Sequence, residues 1–90
     1  MLTSAARPQG REGIVSQAAA EGIILLDVRS GMYFEANEVG RRVWELCDGT
    51  RSVTEIAGVI ETEFDAPREL IEADVLDSAN ELAAAGLLGS

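Results

Sequence analysis

The chain has 90 residues, of which 47% are hydrophobic and 4% aromatic, and it carries a net charge of −9 with no histidine. This length predicts one domain with a small core, because so short a chain buries only roughly 60–65% of its unfolded surface. The lack of histidine excludes Ser/His and Cys/His catalytic pairs, and the acidic excess argues against binding to nucleic-acid phosphates.

Acidic residues are concentrated between residues 61 and 81, where Arg68 is the only basic residue. An acidic surface of this kind keeps a protein soluble and can also attract a basic peptide or protein. The single cysteine, Cys47, predicts a buried thiol in a reducing compartment. With no apolar signal segment at the N-terminus and no long apolar run, we expect a cytoplasmic protein that neither crosses nor binds a membrane.

The first half of the chain predicts a sheet. Residues 1–12 are small, polar and interrupted by Pro8 and Gly10, so we expect a flexible N-terminal arm. Strands are predicted over 14–18, 23–28 and 32–36, with a turn at 29–31 between the last two strands. These strands form an antiparallel meander whose third strand lies at an edge.

The second half predicts three helices. Asn37 is a good N-cap for a helix over 38–47, and Gly49 suits the left-handed position that ends it. Ser52 and Glu55 form a capping box before the apolar stripe of a second helix. Pro67 suits the first turn of a third helix over 68–85, after which the chain returns to the core. The fold class is therefore α+β, similar in content to a winged helix-turn-helix domain, with the sheet leading.

No group of residues has the pattern of a catalytic site. Cys47 lies on the apolar face of the first helix, and no base is near it in sequence. The acidic run at 61–65 lacks the central glycine of a calcium loop. We therefore expect neither an enzyme nor a cofactor or metal site.

Binding is the remaining class of function. The backbone of an edge strand can form hydrogen bonds with a guest strand, and a neighbouring groove can select its side chains. The third helix is rich in alanine, which either leaves room for a guest's side chains or simply favours helix formation. The spacing of the alanines does not separate these two interpretations.

An ordered set of motifs resembles the PqqD-like family over residues 13–88. It is made up of Leu25-Leu26-Asp27, Gly31, Tyr33-Phe34, Asn37, Gly40, Val43-Trp44, Leu46, Asp48-Gly49, Ser52-Val53, Glu55-Ile56 and Gly86-Leu87-Leu88. The resemblance is greatest to the small stand-alone members of lasso-peptide biosynthesis. Ala36 and Ser78-Ala79 depart from the family pattern, which has larger apolar residues there, and both departures would enlarge a cavity beside the third strand or loosen the core.

The resemblance implies a recognition element for ribosomally synthesised precursor peptides. Such a protein binds the precursor leader as an extra strand on its third strand, beside the third helix, and presents it to a transglutaminase-like leader peptidase. The cyclase of the pathway is a further possible partner. Carried onto this chain, the peptide-binding residues are Met32, Tyr33, Phe34, Glu35, Ala36, Ile71, Asp74, Val75, Ser78, Ala79 and Leu82, with Asp77 and Glu81 flanking them.

Two alternative functions stay open at this point. One is a PqqD-type peptide chaperone, which would bind its peptide in the same way but serve a radical enzyme. The other is a winged-helix DNA-binding regulator, against which the acidic third helix argues.

Overall fold

The computed structural model describes residues 1–89 and has an α+β fold, as predicted. Its elements are β1 (Gln9–Gly10), β2 (Ile14–Ala19), β3 (Gly22–Asp27), β4 (Tyr33–Asn37), α1 (Glu38–Leu46), α2 (Val53–Glu61), α3 (Arg68–Ala84) and β5 (Leu88–Gly89). A three-stranded antiparallel sheet of order β2-β3-β4 precedes the helices. The short strands β1 and β5, which the sequence patterns did not predict, form a separate pair.

The inner face of the sheet is buried under the helices. Ile23 lies opposite Ala36 and Leu25 opposite Phe34 in the β3–β4 register. Because side chains alternate between the two faces, these residues share one face, and Leu25 is fully buried there. The sheet order confirms that the third predicted strand, β4, is an edge, although it begins and ends one residue later than predicted.

Strand β4 continues into α1 without a loop. Asn37 is the last residue of the strand and also the N-cap of α1, where its Oδ1 accepts a hydrogen bond from the Gly40 N–H at 2.9 Å. The helix ends at the C-cap Cys47, and Gly49 has a φ of 84°. The predicted left-handed conformation of Gly49 is therefore confirmed. Gly49 is the second residue after the C-cap, whereas the prediction placed it first.

The N-terminus of α2 is hydrogen-bonded from two sides. Ser52 and Glu55 form the predicted capping box, with bonds of 3.0 and 3.1 Å. The next two backbone donors, Val53 and Thr54, bond the carbonyl oxygens of Ala6 and Ser4. These donors would otherwise lack a partner, because the first turn of a helix has no intrahelical acceptors.

The N-terminal segment, predicted as a flexible arm, lies against the helical half of the fold. Pro8 is fully buried, and the backbone N–H of Leu2 donates a hydrogen bond of 2.7 Å to Asn80 of α3. Residues 9 and 10 pair with the C-terminal strand β5. The mobility of this segment in solution stays a prediction.

The core lies between the three helices and the inner face of the sheet. Its buried apolar residues are Ile23, Leu25, Val43, Leu46, Cys47, Val53, Ile56, Ala57, Ile60, Ile71, Val75, Ala79, Leu82, Leu87 and Leu88. The return of residues 87 and 88 to the core is thus confirmed. Pro67 is the N-cap of α3 and precedes its first turn, one residue earlier than predicted.

Candidate functional site

A cleft of about 340 Å³ separates the edge strand β4 from α3. It is lined by Phe34, Glu35, Ala36, Asn37, Val39, Gly40, Asp74, Asp77, Ser78, Glu81 and Leu82. The cleft exists because α3 packs mainly on α1, α2 and β5, whereas β4 packs on β3 and α1. Helix α1 therefore forms the floor, and the strand edge and α3 form the two walls.

The hydrogen-bond pattern shows which backbone groups of β4 are free. The Asp27 N–H donates to the Met32 carbonyl oxygen at 2.9 Å, in register with the β3–β4 pairs. Alternate residues of an antiparallel strand bond the same neighbour, so Phe34 bonds β3. The N–H and C=O groups of Tyr33 and Glu35 consequently point away from β3, towards open space.

The opposite edge of the sheet has no comparable wall. Residues 15–19 of β2 are exposed, and the only element that packs extensively on β2 within residues 1–89 is β3. An edge without a wall offers main-chain hydrogen bonds but no pocket to select side chains. Of the two edges, it is β4 that combines free backbone groups with a neighbouring wall of side chains within residues 1–89.

The cleft brings some of the predicted site residues together and leaves others in the core. Phe34, Glu35, Ala36, Asp74, Ser78 and Leu82 all line it. Tyr33 is the first residue of β4 and Met32 directly precedes it, and they are 68% and 70% exposed. Ile71, Val75 and Ala79 are at most 2% exposed, lie in the core and do not line the cleft. The helical wall therefore contains three of the six predicted α3 residues, together with Asp77 and Glu81, which were predicted to flank them.

The helical wall is acidic. Asp74, Asp77 and Glu81 recur at the three- and four-residue spacing that aligns side chains along one helix face, and all three are exposed. Within residues 1–89 none of them forms an ion pair, and neither does Glu35 on the opposite wall. The cleft therefore presents uncompensated negative charge.

Two glycines that sequence reasoning did not single out for the site allow the close packing around β4. A Cβ on Gly22 would lie 1.9 Å from the Ala36 carbonyl oxygen. A Cβ on Gly40 would lie 2.8 Å from the Cβ of Ala36. A larger residue at position 22 would push β4 away from β3, and a larger residue at position 40 would push β4 away from α1. The position of Gly22 directly before the apolar strand was the available sequence signal, because glycine there favours close backbone approach.

Other chemistry is not supported by the arrangement of side chains. No cluster of His, Cys, Asp and Glu within residues 1–89 is arranged to hold a metal ion. Burial, with a smaller contribution from Asp48, raises the pKa of the Cys47 thiol to about 12. That thiol is therefore protonated at neutral pH and unsuited to nucleophilic chemistry. No helix over the same range is long and apolar enough to cross a membrane.

Comparison with known proteins gives a family match and several structural neighbours. The family model described as coenzyme PQQ synthesis protein D (PqqD) matches residues 22–88. This range contains β3, β4 and all three helices, and therefore both walls of the cleft. No match was found among curated proteins.

Three solved structures have the same fold. TbiB1 in complex with the TbiA(β) leader peptide is 29% identical over 91% of this chain and 95% of that chain, with a TM-score of 0.77. Lasso peptide synthetase B1 complexed with the leader peptide is 24% identical over 94% of this chain and 100% of that chain, with a TM-score of 0.78. The PqqD truncation of Methylobacterium extorquens PqqCD, a stand-alone RiPP recognition element, is 24% identical over 100% of this chain and 96% of that chain, with a TM-score of 0.81.

Proposed function

Because this chain belongs to the PqqD family, we propose that it binds the leader of a ribosomally synthesised precursor peptide as an added strand on β4. The observation that carries the proposal is the cleft between the free edge of β4 and α3. It combines unpaired main-chain groups with a wall of side chains, which is what strand addition with selectivity requires.

The leader would bind through two kinds of contact. Its backbone forms hydrogen bonds with the free groups of Tyr33 and Glu35, and these bonds are independent of sequence. Its side chains alternate, so those opposite Phe34 and Ala36 point into the cleft. The apolar atoms of the half-buried Phe34 and Val39 there suit apolar leader residues. Selectivity therefore depends on two leader positions separated by one residue.

Likeness to TbiB1, which binds a leader peptide, supports the same role here. At 24% identity the lasso peptide synthetase and PqqD structures support the fold alone. The ordered sequence motifs resemble those of the stand-alone members of lasso-peptide biosynthesis, so we propose a role in that pathway, as a binding protein without catalytic activity of its own. It acts in the cytoplasm and presents the leader to a separate transglutaminase-like peptidase, with the cyclase as a further partner.

A second candidate is a PqqD-type chaperone that presents its peptide to a radical enzyme, which the family match favours. Both candidates use the same cleft and differ in their partner. Co-purification of the tagged protein with a leader peptidase or with a radical enzyme encoded beside its gene distinguishes them.

Titration of the ¹⁵N-labelled protein with the precursor leader encoded in the same gene cluster tests the binding site. We expect the largest amide shifts at Tyr33, Glu35 and the α3 residues that line the cleft. A scrambled leader of the same composition is the control, and it should leave these signals unchanged. Shifts confined to the β2 edge, or equal shifts with the scrambled peptide, would contradict the proposal.

A further inference from the structure

We infer that the strand bound in the cleft carries an arginine or lysine at a position facing α3, where Asp74, Asp77 and Glu81 bind its charged group. The inference rests on the proposed function and specifies its substrate class. It combines two independent observations, the free edge that fixes the guest strand and the uncompensated charge of the wall opposite that edge.

The acidic row has the length needed to meet a guest strand. Asp74 and Glu81 are seven residues apart in α3, which corresponds to about 10.5 Å along the helix axis. Residues that face the same side of a strand recur about every 6.7 Å. The row is therefore long enough to meet two successive cleft-facing side chains of the guest.

The charge of the row is available to a ligand because five of the seven arginines are engaged in ion pairs elsewhere and the other two, Arg11 and Arg29, form no ion pair with the row. Arg7, Arg41, Arg42, Arg51 and Arg68 form ion pairs with carboxylates outside the cleft. None of the residues lining the cleft is basic. A basic guest therefore gains attraction without breaking an existing pair, while an acidic guest is repelled.

The lining of the cleft also suits the shape of a basic side chain. Arginine and lysine carry a charged end group on an apolar stem, which favours a site that is apolar at the base and charged at the rim. The half-buried side chains of Phe34 and Val39 provide apolar surface, and the carboxylates of α3 are exposed at the rim. A guest with a short apolar residue at the same position would leave the carboxylates without a partner.

Selection from a random peptide display library tests the inference and requires no particular leader sequence. We expect the wild-type protein to enrich peptides with arginine or lysine at one position of an alternating pattern. The triple variant D74N/D77N/E81Q should lose that enrichment. The matched control E12Q/D65N/E69Q removes the same charge from residues that lie outside the cleft and outside the ion pairs, so it should retain the enrichment.

Binding of one selected peptide, measured by fluorescence polarisation, gives the magnitude. The triple variant should bind it about fivefold more weakly at low salt, since each exposed ion pair contributes modestly, and the difference should shrink at high salt. Selected peptides that bind Glu35→Pro more weakly but show no basic preference would overturn this inference and leave the proposed function standing. Peptides whose binding is unaffected by Glu35→Pro would overturn both.

Discussion

Proline at position 35 provides a direct test of strand addition at β4. The N–H of Glu35 points away from β3, so its loss leaves the β3–β4 hydrogen bonds intact. Proline is tolerated in edge strands at positions of this kind. At Phe34 the same substitution removes a donor that faces β3, so Phe34→Pro should disrupt the sheet itself. The two adjacent positions thus separate loss of binding from loss of folding.

The expected magnitude follows from the groups that are lost. A hydrogen bond makes a net contribution of about 0.5–1.5 kcal/mol, and the proline ring also hinders a neighbouring strand sterically. Glu35→Pro should therefore weaken leader binding by about 1–2 kcal/mol, roughly fivefold to thirtyfold in Kd. Phe34→Pro should instead lower the free energy of unfolding by about 1–3 kcal/mol, because its β3 partner residue, Leu25, loses a backbone hydrogen bond.

Fluorescence polarisation with a labelled leader measures the binding, and thermal unfolding followed by circular dichroism measures the stability. The matched control is Ser16→Pro, which removes an N–H that faces away from β3 on the opposite edge of the sheet. We expect Ser16→Pro to bind the leader as wild type does. Equal affinity of Glu35→Pro and Ser16→Pro for the leader would refute strand addition at β4.

Three further predictions concern stability. Gly22→Ala should lower the free energy of unfolding, measured by denaturant titration, by about 2–4 kcal/mol, because its Cβ would collide with the Ala36 backbone. The control Gly89→Ala, which has open space around it, should change that free energy little. The raised pKa of Cys47 makes the folded state lose stability as pH rises above the thiol's ordinary value of 9.0, by about 1.4 kcal/mol per pH unit. Cys47→Ala should not show this loss of stability above pH 9. If the free energy of unfolding of the variant falls as steeply with pH as that of the wild type, the thiol is not its cause. The Arg42 guanidinium lowers the pKa of Glu63, so this pair stabilises the fold above the carboxyl's ordinary value of 4.5 and less as pH falls. Glu63→Gln should therefore cost at most about 1 kcal/mol at neutral pH and less in acid, as measured by urea unfolding at each pH.

Much of the fold was predictable because its signals are local. The Asn37 cap and the Ser52–Glu55 capping box depend on side chains that bond their own helix. The three strands of the main sheet were predicted within one residue at each end, since apolar and β-branched runs bounded by turns are local patterns. The pairing of β1 with β5 was not predictable, because it joins the two ends of the chain through segments of two residues.

The candidate site was predicted in part for the same reason. The sequence by itself indicated an edge strand followed by an acidic third helix. Only the tertiary packing determined which face of α3 lies opposite that strand. Helix α3 packs on α1 and α2, and its residues Ile71, Val75 and Ala79 are buried in the core, whereas the acidic row lines the cleft.

The periodicity of a helical sequence identifies the residues that share a face, but it does not determine which element packs against each face. That choice depends on how the helix is oriented against its neighbours, and here small residues next to β4 set the distance. Gly22 lets β4 approach β3 closely, and Gly40 lets β4 approach α1 closely. The width of the cleft, and with it the position of the free edge opposite the carboxylates, is therefore a property of the assembled tertiary structure.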